Sequence, residues 1–109
     1  MTMLTADQID HYRNKGYVSS VNALTSNEAK DVRNEIEKIE KNWPGALEGI
    51  NRNYVHLISP VLNKVCLNKN ILDAVESIIG KNILICGTTL FIKEKKKKGF
   101  VSFHQDAKY

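Results

Sequence analysis

The order of patterns along this 109-residue chain predicts an α+β fold in which the helices come first and the strands last. Three observations support this prediction. Apolar residues recur at helical spacing as far as Gly80, a charge-free apolar run begins at residue 83, and a second short apolar run begins at residue 100. The length allows one domain, so we expect residues 1–109 to form a single domain.

Two capping boxes predict where the first two helices begin. Thr5 with Gln8, and Thr25 with Glu28, each place a hydroxyl residue three positions before a residue that can bond back to it. Apolar residues follow each box at spacings of three or four, which is the period of one helix face. Between the two helices, residues 17–21 are predicted to form a short strand.

Proline, asparagine and glycine delimit the next two helices. Pro60 suits the first turn of a third helix, because that turn needs no backbone donor at its first position. Asn70 is predicted to cap a fourth helix, and Gly80 suits its C-terminal end. Just before the third helix, residues 54–57 are predicted to be a short extended piece.

After Gly80 the composition changes to that of strands. Residues 83–92 are rich in β-branched and apolar side chains and contain no charge, so they are predicted to form a strand. Residues 93–99 are predicted to be a charged, lysine-rich loop, and residues 100–104 are predicted to form a second strand. A sheet of two strands is only marginally stable alone.

The basic character of the chain comes from the loop at residues 93–98. The net charge is +4, and five of the 16 basic residues lie in this loop. They are Lys93, Lys95, Lys96, Lys97 and Lys98. No aromatic residue interleaves with them, so we expect no specific nucleic-acid site. A solvated loop is the commoner explanation, and a non-catalytic helical module that binds partners through Lys93–Lys98 is the alternative function.

The tripeptide His104-Gln105-Asp106 is the strongest chemical signal in the sequence. In an extended segment, residues two apart point to the same face, so His104 and Asp106 can offer a nitrogen and an oxygen to one metal ion. These are two of the three ligands of the 2-His-1-carboxylate triad that holds non-heme Fe(II). The tripeptide is weak evidence by itself, and its position after helices and a short apolar run strengthens it.

The chain resembles the N-terminal part of the phytanoyl-CoA dioxygenase family, whose members are Fe(II)- and 2-oxoglutarate-dependent oxygenases. The matching residues follow the family's order along nearly the whole chain. They are Leu4-Thr5, Gln8-Ile9, Tyr12, Gly16-Tyr17-Val18, Asn22-Ala23-Leu24-Thr25, the helix over 28–39, the helix over 71–75, Gly80, Asn82-Ile83, Leu90-Phe91-Ile92-Lys93, His104-Gln105-Asp106 and Tyr109.

The resemblance implies an activity and a set of site residues. His104 and Asp106 match the first two iron ligands, and Thr89 falls where family members can contact 2-oxoglutarate. Arg52 lies where some members place a basic contact, but the preceding loop varies in length and Arg52 is not included in the prediction. The cofactor is Fe(II), the co-substrates are 2-oxoglutarate and O2, and the substrate is a small molecule. Asp106 favours hydroxylation over halogenation, for which related enzymes carry a small residue there.

The resemblance also implies a fold. Family members place N-terminal helices before a double-stranded β-helix, a jelly-roll or cupin-like barrel, so residues 83–92 and 100–104 would be its first strands. A second iron-binding His and an Arg for 2-oxoglutarate would follow downstream of Tyr109. We therefore expect a truncated oxygenase that is inactive by itself and that self-associates through its uncovered strands.

The remaining titratable residues and the chain termini indicate no second site. His11 is expected on a solvated helix position and His56 in a partly buried segment. No signal-like region precedes the first helix, and no apolar run approaches the roughly 20 residues of a membrane span. We therefore expect a cytoplasmic protein without membrane contact, in which Cys66 and Cys86 are reduced.

Overall fold

The computed structural model describes residues 3–93, 95, 96 and 98–105. Its regular elements are four α-helices and two short 3-10 helices. The α-helices are α1 (Ala6–Lys15), α2 (Ser26–Asn42), α3 (Pro60–Cys66) and α4 (Lys69–Ile79), and the 3-10 helices are Gly49–Arg52 and Val55–Leu57. No helix in the described ranges is long and apolar enough to cross a membrane.

Both predicted capping boxes are confirmed. At α1 the Thr5 hydroxyl accepts the Gln8 amide at 3.2 Å, and the Gln8 side chain accepts the Thr5 amide at 2.9 Å. At α2 the same exchange joins Thr25 and Glu28, at 3.2 and 2.7 Å. The boxes satisfy amide donors that the first turn of a helix otherwise leaves without a partner. The first helix ends as predicted, at Gly16 with φ 82°.

The third and fourth helices also form, with one difference at a cap. Pro60 occupies the first turn of α3 as predicted, behind Ser59 as N-cap. The cap of α4 is Asn68 and not Asn70, since the Asn68 side chain accepts the amides of Asn70 and Ile71. The helix therefore begins two residues earlier than predicted, and it ends at Gly80, as expected.

The core lies in the helical body, residues 3–79, where α2 and α3 meet the loop between them. Its buried members are Ile39, Leu47, Val55 and Leu62, each no more than 6% exposed. Leu90 packs against this cluster from the C-terminal region, residues 82–105. The core is therefore built mainly by helices and their connection, and the C-terminal region contributes one side chain to its edge.

The prediction of an α+β fold with jelly-roll strands is wrong, because the described residues contain no strand and no sheet. Residues 17–21, 83–92 and 100–104 are irregular, and the predicted extended piece at 54–57 is largely the 3-10 helix Val55–Leu57. What forms instead is a single antiparallel bridge between Asn53 and Thr89.

The physical reason lies in the partners that a strand needs. The apolar segment, residues 83–92, meets the helical body through two backbone hydrogen bonds, from Tyr54 N–H to Thr88 O at 2.6 Å and from Leu90 N–H to Arg52 O at 3.0 Å. Both lie at one end of the segment. No backbone hydrogen bond joins the apolar segment to the described residues of 100–104. Side-chain composition favours strands but cannot supply the missing ladder.

Candidate functional site

His104 lies on the exposed C-terminal arm, residues 98–105. Its Nδ1 is 2.8 Å from the carbonyl oxygen of Ser102. Such a bond holds the proton on Nδ1 and leaves the lone pair on Nε2, which is the usual arrangement of a metal-ligating histidine. The donor chemistry at His104 therefore fits the predicted iron ligand.

Asp106, the second predicted ligand, lies outside the described residues. The expected same-face placement of His104 and Asp106 assumed a strand, and the arm is irregular as far as residue 105. Within the described ranges, no group of three His, Cys, Asp or Glu side chains could hold a metal ion. Of the two predicted iron ligands, the structure therefore describes His104 alone.

A cavity of about 490 Å³ lies beside the arm. Residues 89–93 and 99–101 line two of its sides, and Gly49, Arg52 and Asn53 line a third. The apolar segment and the C-terminal arm therefore flank this space, and no backbone hydrogen bond joins their described residues across it. His104 is not among its lining residues.

Arg52 ends the 3-10 helix Gly49–Arg52 and points its side chain along the loop that forms this wall. Its Nε donates to the carbonyl oxygen of Leu47 at 2.9 Å, and its own carbonyl accepts the amide of Leu90 at 3.0 Å. These bonds orient a half-buried guanidinium beside the cavity. Sequence reasoning left Arg52 out because the loop length is variable, and the structure places it with Thr89.

Thr89, the predicted co-substrate contact, lies on the same cavity. Its hydroxyl donates to the Asn53 side-chain oxygen at 2.8 Å. Because the hydroxyl proton is used in this bond, the Thr89 oxygen can only accept a hydrogen bond from a ligand. The amide nitrogen of Asn53 is then the better donor toward a carboxylate, and nothing in the sequence singled out Asn53.

The described ionisable side chains that line the cavity are all positively charged. Arg52 and Lys93 are its ionisable lining residues, and no described Asp or Glu lines it. Most of the remaining lining is apolar, including Phe91 and Phe100. Two cations beside low-dielectric walls attract anions more strongly than cations in open solvent do. The cavity therefore suits a small anion or an anion with an apolar group attached.

The other two histidines make structural contacts. His56 is half-buried, and its Nδ1 lies 2.7 Å from the Thr88 hydroxyl, which also accepts the His56 amide at 3.4 Å. His11 is exposed on α1, as predicted, and its ring meets Tyr17 edge-on at 5.0 Å. His56 thus fastens the apolar segment to the second 3-10 helix.

No family model matches the sequence, and no curated protein or solved structure matches it. The resemblance to the phytanoyl-CoA dioxygenases therefore stays a prediction. What can support a function is the described cavity, the motif at residues 104–106 and the charges around them.

Proposed function

We propose that the chain provides the co-substrate cavity and two iron ligands of an Fe(II)- and 2-oxoglutarate-dependent dioxygenase, a hydroxylase of the phytanoyl-CoA dioxygenase type. One observation supports this most. Arg52 and Thr89, far apart in sequence, lie on one cavity whose ionisable lining is cationic. The resemblance implies a co-substrate contact at Thr89, and some family members place a basic contact near the position of Arg52.

The proposed roles follow from the chemistry of each group. Arg52, already oriented by Leu47, binds a carboxylate of 2-oxoglutarate through its remaining guanidinium donors. Asn53 donates to the same anion, and Thr89 holds the Asn53 side chain in place. Lys93 adds a second positive charge at the rim.

His104 and Asp106 are the proposed iron ligands. Fe(II), when bound, supplies the oxidation chemistry that couples decarboxylation of 2-oxoglutarate to hydroxylation of a small-molecule substrate. A facial site takes three ligands from protein, and the proposal assigns two. We therefore expect weak Fe(II) binding by this chain and little or no succinate formation.

The iron ligands can be tested by anaerobic NMR with Fe(II) and 2-oxoglutarate. We expect paramagnetic broadening of amides at residues 102–106, lost in His104→Ala and weakened by about tenfold in affinity or more in Asp106→Ala. His11→Ala, which alters an exposed histidine on α1, should leave the broadening intact. Broadening that persists in His104→Ala, or that centres on His56, would rule out the assignment.

The co-substrate cavity can be tested separately by titration with 2-oxoglutarate. We expect shifts at Arg52, Asn53 and Thr89, and about a tenfold or larger loss of affinity in Arg52→Ala. Arg33→Ala is the matched control, because Arg33 lies exposed on α2 and pairs with Glu37 at 2.8 Å. Equal losses in both variants would mean that 2-oxoglutarate senses only the net charge.

A second candidate function is the non-catalytic helical module that binds anions through the lysine turn, residues 93–98. The described lysines of this turn are exposed, and no ion pair joins Lys93, Lys95, Lys96 or Lys98 to a described residue. This module would bind anions with no dependence on His104 or Fe(II). As in the sequence analysis, we propose no specific nucleic-acid partner.

The proposal includes a reducing compartment, in agreement with the cytoplasmic location expected from the sequence. Cys66 and Cys86 are both free thiols, and Cys86 is exposed. Disulfides persist mainly in oxidising compartments, so an exposed thiol is better tolerated in the cytoplasm. A fusion of the chain to a fluorescent protein, imaged in the source cells, would test this location.

A further inference from the structure

The chain exposes far more surface than a compact protein of its mass. Its accessible surface is 9395 Å², whereas a folded monomer of 12.4 kDa exposes about 6,100 Å². The radius of gyration is 16.0 Å, compared with about 13 Å for a compact domain of this length. The excess surface, roughly 3,000 Å², is larger than the area of about 800 Å² that each partner buries in a standard stable interface.

Part of this exposed surface lies where the apolar segment leaves the helical body. Leu84 is 91% exposed, and Ile85 and Cys86 are exposed beside it. Among the described residues, no backbone hydrogen bond reaches positions 84–87. These donors and acceptors, together with the apolar side chains, form an edge that another chain can pair with.

The usual features that protect such an edge are missing from the apolar segment. Residues 83–92 contain no proline and no charged residue. Inward-pointing charges, prolines and lysines along the edge are how proteins normally prevent pairing. Here the segment itself has no lysine: Lys81 precedes it, and the lysine-rich stretch follows it at residues 93–98. These lysines influence the direction of pairing and leave residues 83–92 unprotected.

Charge favours a second copy in one orientation. Parallel pairing would bring two lysine turns together, and each contributes five lysines within six residues. Antiparallel pairing separates them, and it moves each lysine turn toward the C-terminal end of the other copy's α4. That end carries the negative pole of the helix dipole, and its last turn contains no basic residue, although Lys81 follows it.

We propose that two copies of this chain form an antiparallel dimer through residues 83–87. The two-fold axis passes near Ile85, so the same edge is used on both copies and the contact closes on itself. Backbone hydrogen bonds supply the ladder that the monomer lacks, and Leu84 of each copy gains Cys86 of the other as its cross-strand neighbour. The proposal does not depend on the dioxygenase activity, since no residue of the proposed iron site is involved.

Analytical ultracentrifugation tests the association. We expect a mass about twice the 12.4 kDa monomer at micromolar concentrations and at least about a tenfold weaker dimer in Leu84→Lys. Leu57→Lys is the matched control, because Leu57 is also exposed, at 73%, and lies on the helical body. A protein that stays monomeric up to about 1 mM, or equal losses in both variants, would overturn the proposal.

Pyrene excimer fluorescence tests the orientation. In a Cys66→Ala background, pyrene on Cys86 lies near the axis, so we expect an excimer. Pyrene on Lys81→Cys, with Cys86→Ser, should give none, because antiparallel copies separate these positions by roughly 25 Å. Excimers from both positions would show parallel pairing, and none from either would place the contact elsewhere. Leu84→Lys should bind 2-oxoglutarate with the same affinity as the wild type in the titration described above. Failure of the dimer and failure of the proposed function can therefore be told apart.

Discussion

The helical body, residues 3–79, and the C-terminal region, residues 82–105, are held together by different kinds of contact. In the helical body each α-helix bonds its own backbone and carries a side-chain cap, and four buried apolar residues join α2, α3 and their connection. The C-terminal region is connected to the helical body by two backbone hydrogen bonds, by the side-chain hydrogen bonds of Thr88 and Thr89, and by the side chain of Leu90. The helical body is therefore stabilised by local helix contacts and a buried core, whereas the C-terminal region has a few contacts with distant residues.

This difference explains why one region is compact and the other is open. A helix satisfies its backbone within a few residues, whereas a strand needs a partner that the described chain does not provide. The apolar segment consequently keeps exposed side chains, such as Leu84 and Phe91, which are 91% and 84% accessible. We therefore expect substitutions in the helical body to lower the free energy of unfolding more than substitutions in the C-terminal region do.

The largest expected effect is in the core of the helical body. Leu62 is 5% exposed within the cluster of Ile39, Leu47 and Val55. Leu62→Ala should lower the free energy of unfolding by about 2–5 kcal/mol, because it removes buried methyl groups and leaves a cavity. Leu84→Ala, in the C-terminal region, should change it by less than about 0.5 kcal/mol in dilute monomer. Urea denaturation measures the free energy of unfolding of both variants. Similar losses in Leu62→Ala and Leu84→Ala would contradict the distinction between the two regions.

Ser59 should give the next largest effect. Its hydroxyl, 2% exposed as a residue, donates to Glu35 at 2.8 Å and accepts the Leu62 amide at 3.4 Å. Ser59→Ala removes the α3 cap and a donor from the Glu35 carboxylate, which should cost about 1–3 kcal/mol. Ser26→Ala, at the exposed first residue of α2, is the control and should be nearly neutral. A neutral Ser59→Ala would mean that water replaces the hydroxyl without loss.

Leu90 marks the contact between the two regions. It is partly buried against the core cluster, while its neighbour Phe91 is 84% exposed. We expect Leu90→Ala to cost about 1 kcal/mol and to speed hydrogen exchange at the Tyr54 amide, which bonds to Thr88. Phe91→Ala should do neither. If Phe91→Ala speeds hydrogen exchange at the Tyr54 amide as much as Leu90→Ala does, the apolar segment is not attached through the contact of Leu90 with the core.

The smallest expected effect is a pH dependence within the helical body. Hydrogen bonds from the Thr25 backbone and then from its hydroxyl lower the pKa of Glu28 below its usual 4.5. Because this pKa is lower in the folded state, the Glu28 carboxylate adds to the free energy of unfolding above pH 4.5. That contribution is lost as the pH falls through the folded-state pKa. Glu28→Gln should therefore flatten the acid limb of the stability curve slightly. An unchanged acid limb would show that the capping box is open in solution.

Local patterns in the sequence predict the helical body because its signals lie within a few residues of each other. Thr5 with Gln8, Thr25 with Glu28, and Pro60 each mark a helix start that the structure confirms. At α4 the sequence analysis predicts Asn70 as the cap, whereas the structure uses Asn68. Packing decides between them, since Asn70 instead donates to the Ala23 carbonyl at 3.2 Å.

The C-terminal region and the cavity depend on contacts that are distant in sequence. Residues 83–92 have the composition of a strand, but the bridge between Asn53 and Thr89 is the only described ladder position they obtain. Arg52 and Asn53 lie on the cavity because the loop before α3 meets the apolar segment, a contact between residues far apart in sequence. The sequence alone therefore neither secured Arg52 nor pointed to Asn53. The role of His104 rests on its tripeptide together with the family-like order of the preceding residues, and it remains a prediction.

Hydrogen exchange followed by mass spectrometry at two protein concentrations tests the difference between the regions most directly. At submicromolar concentration, peptides from α2, α3 and α4 should exchange slowly and residues 84–87 should exchange almost as fast as an unfolded chain. At high concentration the helices should be unchanged and residues 84–87 should become protected, because a second copy then supplies their partners. Equal protection of residues 84–87 and α4 at the low concentration would contradict the account, since the chain would then hold its C-terminal region without help.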